Sequence, residues 1–456
     1  RGAPQAAKEE ERAMELFVNI LGVLAFIALG WAFSADRKNI DWVSVGLMCA
    51  INLFLAWFLT SFEAGRAIVS GAAAGFAELV TLSYQGINFA FANWVGPNGL
   101  DPAPVNFVTS ALLPILMIVP LFDTLTYIGF LPWVIKWVGR GLSFITRRPK
   151  FETFYAVEMM FLGNTEALAV SKVQLQHMKA GRNVTLAMMS MSCVTAAIIG
   201  SYIQMVPAQF VITAIPLNCI DALIFSHMLY PVKVTPEEDR IYGLADTPDE
   251  TPVEDSTDAE KVELAKAVEA YEALPPVKRF FTHDPAKPEK EPYFSFLGDS
   301  ILTGGRLILI ITANVIAFVA LAAVINALLG LINPNLSLES ILGVFMFVPA
   351  WLMGLDPGTA WDFAQLMGLK LVTNEFVVMG EVTGSVASFA PHYQAVLTTF
   401  ITSFANFSTL GMVIGCFKGM VSKEKNDAIS HQVGRLLLSG ILVSLLSAAL
   451  VGLFVW

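Results

Sequence analysis

Nine stretches of the chain run apolar with almost no charge: 14–34, 42–60, 104–122, 184–206, 208–230, 305–332, 340–354, 395–416 and 436–456. A helix needs about 20 such residues to cross a hydrocarbon layer roughly 30 Å thick. Buried helices of a soluble protein would keep a polar face instead. The pattern predicts an all-α polytopic membrane protein. Run 340–354 reads as an interfacial segment, and the other eight runs are predicted transmembrane helices.

Two further apolar stretches, 151–180 and 360–390, are too polar and too interrupted to be plain crossings. Each has a central polar cluster between short apolar arms, which suits a re-entrant hairpin. The first tip is Gly163-Asn164-Thr165-Glu166 and the second is Thr373-Asn374-Glu375. Each half of the chain then reads as a span, a short interfacial element containing "LPWVIKW" or "VPAWLMG", a hairpin and two more spans. That is an inverted repeat, the pattern of a transporter whose binding site lies at mid-membrane.

Charge sharpens this reading. The chain is 55% hydrophobic and 14% charged, against about 25% charged in soluble domains. Lys and Arg in short loops mark the cytoplasmic side. They cluster at Arg37–Lys38, between Lys136 and Lys150, at Lys179 and Arg182, and between Lys418 and Arg435, while 61–103, taken as a connecting loop, carries only Arg66. Both termini are then expected outside. The segment Pro231–Tyr293 holds 16 acidic and 8 basic residues. It is expected to be a cytoplasmic linker with one short helix at 257–274. No nucleic-acid partner is suggested. Cys49, Cys193, Cys219 and Cys416 all lie in apolar runs without metal-ligand spacing, and the five His are scattered. They read as packing residues, with no metal site. The chain lacks a phosphate-binding glycine loop and a dinucleotide fingerprint, so no cofactor is expected.

Glu166 and Glu375 stand out chemically. A charged side chain at the bilayer centre costs about 2.5–3.5 kcal/mol on insertion scales and is functional by default. Asn164, Thr165 and Asn374 add donors and acceptors suited to a polar, many-hydroxyl substrate. The clusters "SFANFSTLG" and "MSMSCVTAA" lie inside predicted spans and mark local unwinding. There Phe404 or Phe407 could stack on a planar ring beside Asn406. Ser and Thr in membrane helices more often serve packing. Asp221 is either paired structurally, with His227 as the nearest partner in sequence, or on a proton path, and Glu158 is similar.

At these residues the sequence resembles the concentrative nucleoside transporters. The family's Gly-Gln-Thr-Glu-Ala matches Gly163-Asn164-Thr165-Glu166-Ala167, and its Lys-x-x-x-Asn-Glu-Phe-Val matches Lys370 through Val377. Phe404-Ala405-Asn406-Phe407-Ser408 stands intact, and "ESILGVFMFVPAWLMG" and "FSADRKNIDW" also look like family segments. The similarity runs from about residue 16 to 456, apart from the acidic loop. It implies a secondary transporter of nucleosides, not an enzyme, built as an elevator-type homotrimer in a bacterial-type inner membrane.

The resemblance also divides the chain: a tail at 1–12, scaffold spans at 13–122, an interfacial helix at 123–150, and the first hairpin with two spans at 151–230. The acidic loop at 231–295 and a scaffold span at 296–335 follow. An interfacial segment, the second hairpin and two spans complete the chain at 336–456. By position, Asn164, Thr165 and Glu166 would face the base. Glu375, Asn406 and Thr409 would hold the ribose, and Phe404 and Ile198 would pack against the ligand. Asn164 replaces the family's Gln, and Thr409 a common Ser.

Sodium-using members place an Asn four residues before the hairpin Gly and a Ser in the first broken helix. Here those positions are Met159 and Cys193, and sulfur is a poor ligand for a hard cation. Proton symport is therefore expected, with Glu166 or Glu375 as carrier, since desolvation favours the neutral form of a carboxyl group. The alternatives are sodium symport on the same fold and a non-transporting membrane sensor of nucleosides. A membrane enzyme would need a nucleophile–base pair that the tips lack.

Overall fold

A computed structural model describes residues 3–91, 108, 112–163, 167–168, 170–235, 238–239, 292–334 and 336–456. Helices α1 (Ala3–Ala32) and α2 (Trp42–Thr60) form where the first two apolar runs predict them. Asp41 starts α2: its Oδ1 accepts the Val43 and Ser44 amides at 3.1 and 3.2 Å, satisfying two N–H groups that a helix start leaves open.

The expected loop over 61–103 is corrected. Residues Glu63–Phe91 form α3, and its Glu63–Ser83 portion is long and apolar enough to cross a membrane. Its apolar character comes from Ala and Gly in "SGAAAGFAEL", interrupted by Arg66 and Glu78. A search for charge-free runs of large side chains passes over such a helix. Of the run at 104–122, residues 104–107 and 109–111 lie outside the described residues; α4 spans Ile115–Tyr127 and then turns by 75° into α5 (Phe130–Thr146). Leu131 and Ile135 of α5 are buried on Val157, while Trp133, Trp137 and Phe144 are exposed. Helix α5 is thus divided into a buried aliphatic face and an exposed aromatic one.

Helix α6 (Lys150–Leu162) leads to the first tip and ends at Gly163, whose φ of +83° favours glycine. Beyond the tip come α7 (Lys172–His177), α8 (Ala180–Ser190), α9 (Ala196–Tyr202) and α10 (Ala208–Leu229). The predicted span at 184–206 is thus broken at 191–195. Of the acidic loop, residues 236–237 and 240–291, including the expected helix at 257–274, lie outside the described residues. Its leading end is tied down. Lys179 pairs with Glu238 and holds that carboxyl below its usual range, and the Lys150 amide donates to Asp239 at 2.8 Å.

The second half repeats the order. Helix α11 (Tyr293–Ile332) is followed by α12 (Leu338–Trp351), α13 (Pro357–Val372) and α14 (Glu375–Val382). Then come α15 (Pro391–Ile401) and α16 (Phe407–Lys418), a second broken span, followed by α17 (Lys423–Ser430) and α18 (Val433–Gly452). Equivalent pairs pack alike: α5 on α6 and α12 on α13, α8 on α10 and α15 on α18, with α4 against α11 between the halves. Among the described residues six helices are long and apolar enough to cross a membrane, and seven if α4 and α5 count as one. The core centres on α8, α10, α15 and α18. Helix α11 instead leaves Leu309, Ile316, Leu321 and Leu328 exposed on the outside of the bundle.

Candidate substrate site

The two broken spans meet at α18. A Cβ on Gly440 would lie 2.8 Å from the Ala405 Cβ and 3.1 Å from the Met191 Cβ, so only glycine lets α18 pass both breaks this closely. A break leaves carbonyl groups without helical partners, and buried polar groups must be satisfied. Here side chains from other helices supply the donors. Asn218 of α10 donates to the Thr402 carbonyl at 2.6 Å. Lys370 of α13, fully buried, donates to the Phe400 carbonyl at 2.7 Å and reaches Ser403 and Ser444 at 3.4 and 3.5 Å.

Two helix starts converge at the same place. Asn374 caps α14 through an acceptor bond from the Val377 amide at 3.1 Å, and Asn406 caps α16 through the Thr409 amide at 2.7 Å. Glu375, 4% exposed, occupies the first turn of α14. Asn406 Nδ2 donates to Glu375 Oε2 at 3.3 Å, and the Tyr202 hydroxyl donates to Oε1 at 3.0 Å. The carboxyl group thus lies where the positive ends of two helix dipoles gather, a favourable place for an anion. Tyr202 is held by an edge contact to Phe376, with ring centroids 5.1 Å apart.

Beside this cluster lies a cavity of about 150 Å³. Asn374, Glu375, Phe404, Asn406 and Thr409 form one wall, Phe161 to Gly163 and Ile198 a second. Val119, Phe122 and Asp123 of α4 and Leu307, Ile310 and Ile311 of α11 form the third. The structure therefore brings together Ile198, Glu375, Phe404, Asn406 and Thr409. Asn164, Thr165 and Glu166 lie outside the described residues, although Gly163, which precedes them, borders the cavity. Such a site offers an anionic acceptor, two amides, a hydroxyl and an aromatic face to one ligand. Phe407 is exposed, so only Phe404 of the two candidate aromatics is available.

Tyr202 and Lys370 belong to this cluster, although the sequence pattern does not mark either as a site residue. Tyr202 stands four positions after Ile198, on the same helix face, and Lys370 opens the Lys-x-x-x-Asn-Glu string. The pairing of Asp221 with His227 is corrected. Residues six apart on a helix point to different faces. His227 Nε2 accepts the Asp41 amide at 3.0 Å, whereas Asp221 Oδ2 accepts Ser447 Oγ at 2.6 Å. Glu158 is buried and accepts Ser171 Oγ at 3.3 Å. At the first break, Met159, Met189, Cys193 and Cys219 line a gap of about 10 Å³, the lower limit for one water molecule.

Comparison with known proteins gives one consistent result. Residues 210–452 match the family model described as Na+ dependent nucleoside transporter C-terminus, and residues 21–94 match the corresponding N-terminus model. The chain is 40% identical to the purine nucleoside transport protein NupG of Bacillus subtilis (strain 168), across 97% of this chain and all of that protein. It is 25% identical to the nucleoside permease NupC of Helicobacter pylori, across 96% and 97%. Among solved structures, CNTnw in an inward-facing substrate-bound state superposes with a TM-score of 0.81 at 23% identity, covering 97% of this chain and 98% of that one. An outward-facing CNTnw variant gives 0.80 at 22% identity, covering 97% and 99%.

Proposed function

The chain belongs to the concentrative nucleoside transporter family, and from that premise we propose that it imports nucleosides across a bacterial inner membrane by proton symport. The observation that carries the substrate assignment is the single cavity joining Glu375, Asn406, Thr409, Phe404 and Ile198. Glu375, Asn406 and Thr409 take the ribose hydroxyls, Phe404 and Ile198 pack against the ligand, and Asn164, Thr165 and Glu166 face the base. The name of the 40% identical NupG supports purine nucleosides as substrates.

Glu375 or Glu166 carries the proton. Support for a proton over sodium comes from the first break, where Met159, Cys193 and Cys219 line a gap of about 10 Å³ together with Ser192 and Asn218, and sulfur is a poor ligand for a hard cation. A carboxyl group at this depth needs its proton or its ligand before the mobile half can slide, because an unpaired buried charge is costly. Residues 151–230 and 336–456 form that mobile half against the scaffold of 13–122 and 296–335, within a homotrimer with both termini outside.

Purified protein in proteoliposomes tests this reading. Accumulation of radiolabelled inosine is expected to follow an imposed pH gradient, inside alkaline, and to ignore a sodium gradient. The second reading, sodium symport, is favoured by the description of the matching family models. Accumulation driven by sodium at equal pH establishes it instead.

A further inference from the structure

The wall formed by α4 and α11 carries one carboxyl group that the assignment above leaves unused. Asp123 of α4 lines the same cavity as Glu375. Ser300 of α11 donates a hydrogen bond to its Oδ2. One residue on, Thr124 Oγ1 and the Tyr293 hydroxyl lie 3.2 Å apart. Helix α11 thus holds this turn of α4 at two adjacent points. The surrounding wall is mostly apolar, with Val119, Phe122, Leu307 and Ile311, and Thr303 adds a hydroxyl.

The position is informative. Phe122 packs against the Leu131–Ile135–Val157 cluster, which also receives Phe161 and Leu162 from the end of α6. Asp123 and the end of α6, Phe161 to Gly163, line the same cavity, and the tip assigned to the base begins at Gly163. When a ligand fills the cavity and expels water, a carboxylate in an apolar wall is left costly unless the ligand supplies a donor. Asp123 has acceptor capacity to spare: an ionised carboxylate offers about four lone-pair positions, and Ser300 engages one oxygen.

Nucleobases differ sharply in what they offer such a group. Guanine presents adjacent N–H donors at N1 and N2, a pair that matches the two oxygens of a carboxylate. The N3–H of uracil is flanked by two carbonyl groups that a carboxylate repels. We infer that Asp123 is a specificity-determining residue that accepts the N1–H of a 6-oxopurine base and favours guanosine. This rests on the nucleoside-transport reading and names how the third wall takes part in it.

The test pairs a change in the ligand with a change in the protein, so that loss of one contact is counted once. Uptake of guanosine and N1-methylguanosine is measured in proteoliposomes holding the full chain, wild type or Asp123→Ala. Wild type is expected to prefer guanosine by about tenfold or more in KM, the usual effect of a hydrogen bond to a charged group. Asp123→Ala is expected to abolish most of that preference by weakening guanosine alone. Asp123→Asn keeps the side-chain size should truncation disturb packing, and it offers the base one uncharged acceptor oxygen in place of two charged ones, so the preference falls there too, by less. An unchanged preference in both variants, or an equal loss for both nucleosides, overturns the inference while nucleoside transport stands. Wild-type protein that accumulates no nucleoside at all overturns the transport reading, and this inference with it.

Discussion

Glu375 is conspicuous in the sequence because a carboxyl group among apolar neighbours has few structural uses. Its surroundings are less legible. Tyr202 looks like an ordinary aromatic at the end of a helix, and only folding reveals that its hydroxyl reaches Glu375 Oε1 across a sequence gap of 173 residues. Lys370 was visible within a motif, yet its role at the Phe400 carbonyl depends on a helix break in another segment. A change at Glu375 and a change at its Tyr202 partner differ in consequence. Glu375→Gln removes the charge and is expected to abolish uptake while the protein still folds, since an amide fills the same space. Tyr202→Phe removes one neutral donor, worth about 0.5–1.5 kcal/mol net, and is expected to reduce uptake by roughly three- to tenfold. Initial rates in proteoliposomes check both. Normal rates in Tyr202→Phe would show that the hydroxyl contact does not serve the site.

At the scale of elements, polar clusters located both helix breaks correctly, because Ser, Thr and Asn inside an apolar run signal carbonyl groups that leave the helix ladder. What they could not give is how the pieces are docked. Arg182 read as a marker of the cytoplasmic side, but the structure buries it, 2% exposed, where it joins α8 to α6. Its Nε and Nη2 donate to the two Glu152 oxygens at 2.7 Å each, and its Nη1 donates to the Glu238 carbonyl at 2.7 Å. This planar two-point match suits a guanidinium and not an ammonium group. Removing one partner of a buried pair leaves the other charge uncompensated, at a cost of about 3–5 kcal/mol. Glu152→Ala is therefore expected to lower the unfolding temperature in detergent markedly. The double variant Glu152→Leu with Arg182→Met, apolar and of similar volume, is expected to recover most of the loss. Equal melting of the single and double variants would place the cost in packing instead of charge.

For the molecule as a whole, the repeated order of elements was legible because each half carries the same sequence of apolar and polar segments. The helix α3 was not, since small residues conceal its length. Helix α18 passes both breaks at Gly440. The first break is the place where an ion choice would be made. Met159 lies on α6 four residues before Gly163, Ser190 Oγ approaches its sulfur at 3.7 Å, and Cys193 lies in the break itself. A thioether and a thiol here supply no oxygen to a hard cation, so that among the side chains lining the gap only Ser192 and Asn218 bring one, while Asn and Ser would add oxygen ligands and, in place of Met159, free volume. If the protein is a proton symporter as proposed, the double variant Met159→Asn with Cys193→Ser is expected to gain sodium-stimulated nucleoside accumulation relative to the unaltered protein. Uptake with sodium or choline as the external cation, at equal pH, measures this directly. Sodium should also raise the melting temperature of the double variant and leave that of the unaltered protein unchanged, as expected for a ligand that binds only the folded state. If the unaltered protein already responds to sodium on both measures, sulfur at these two positions is not what decides the coupling ion.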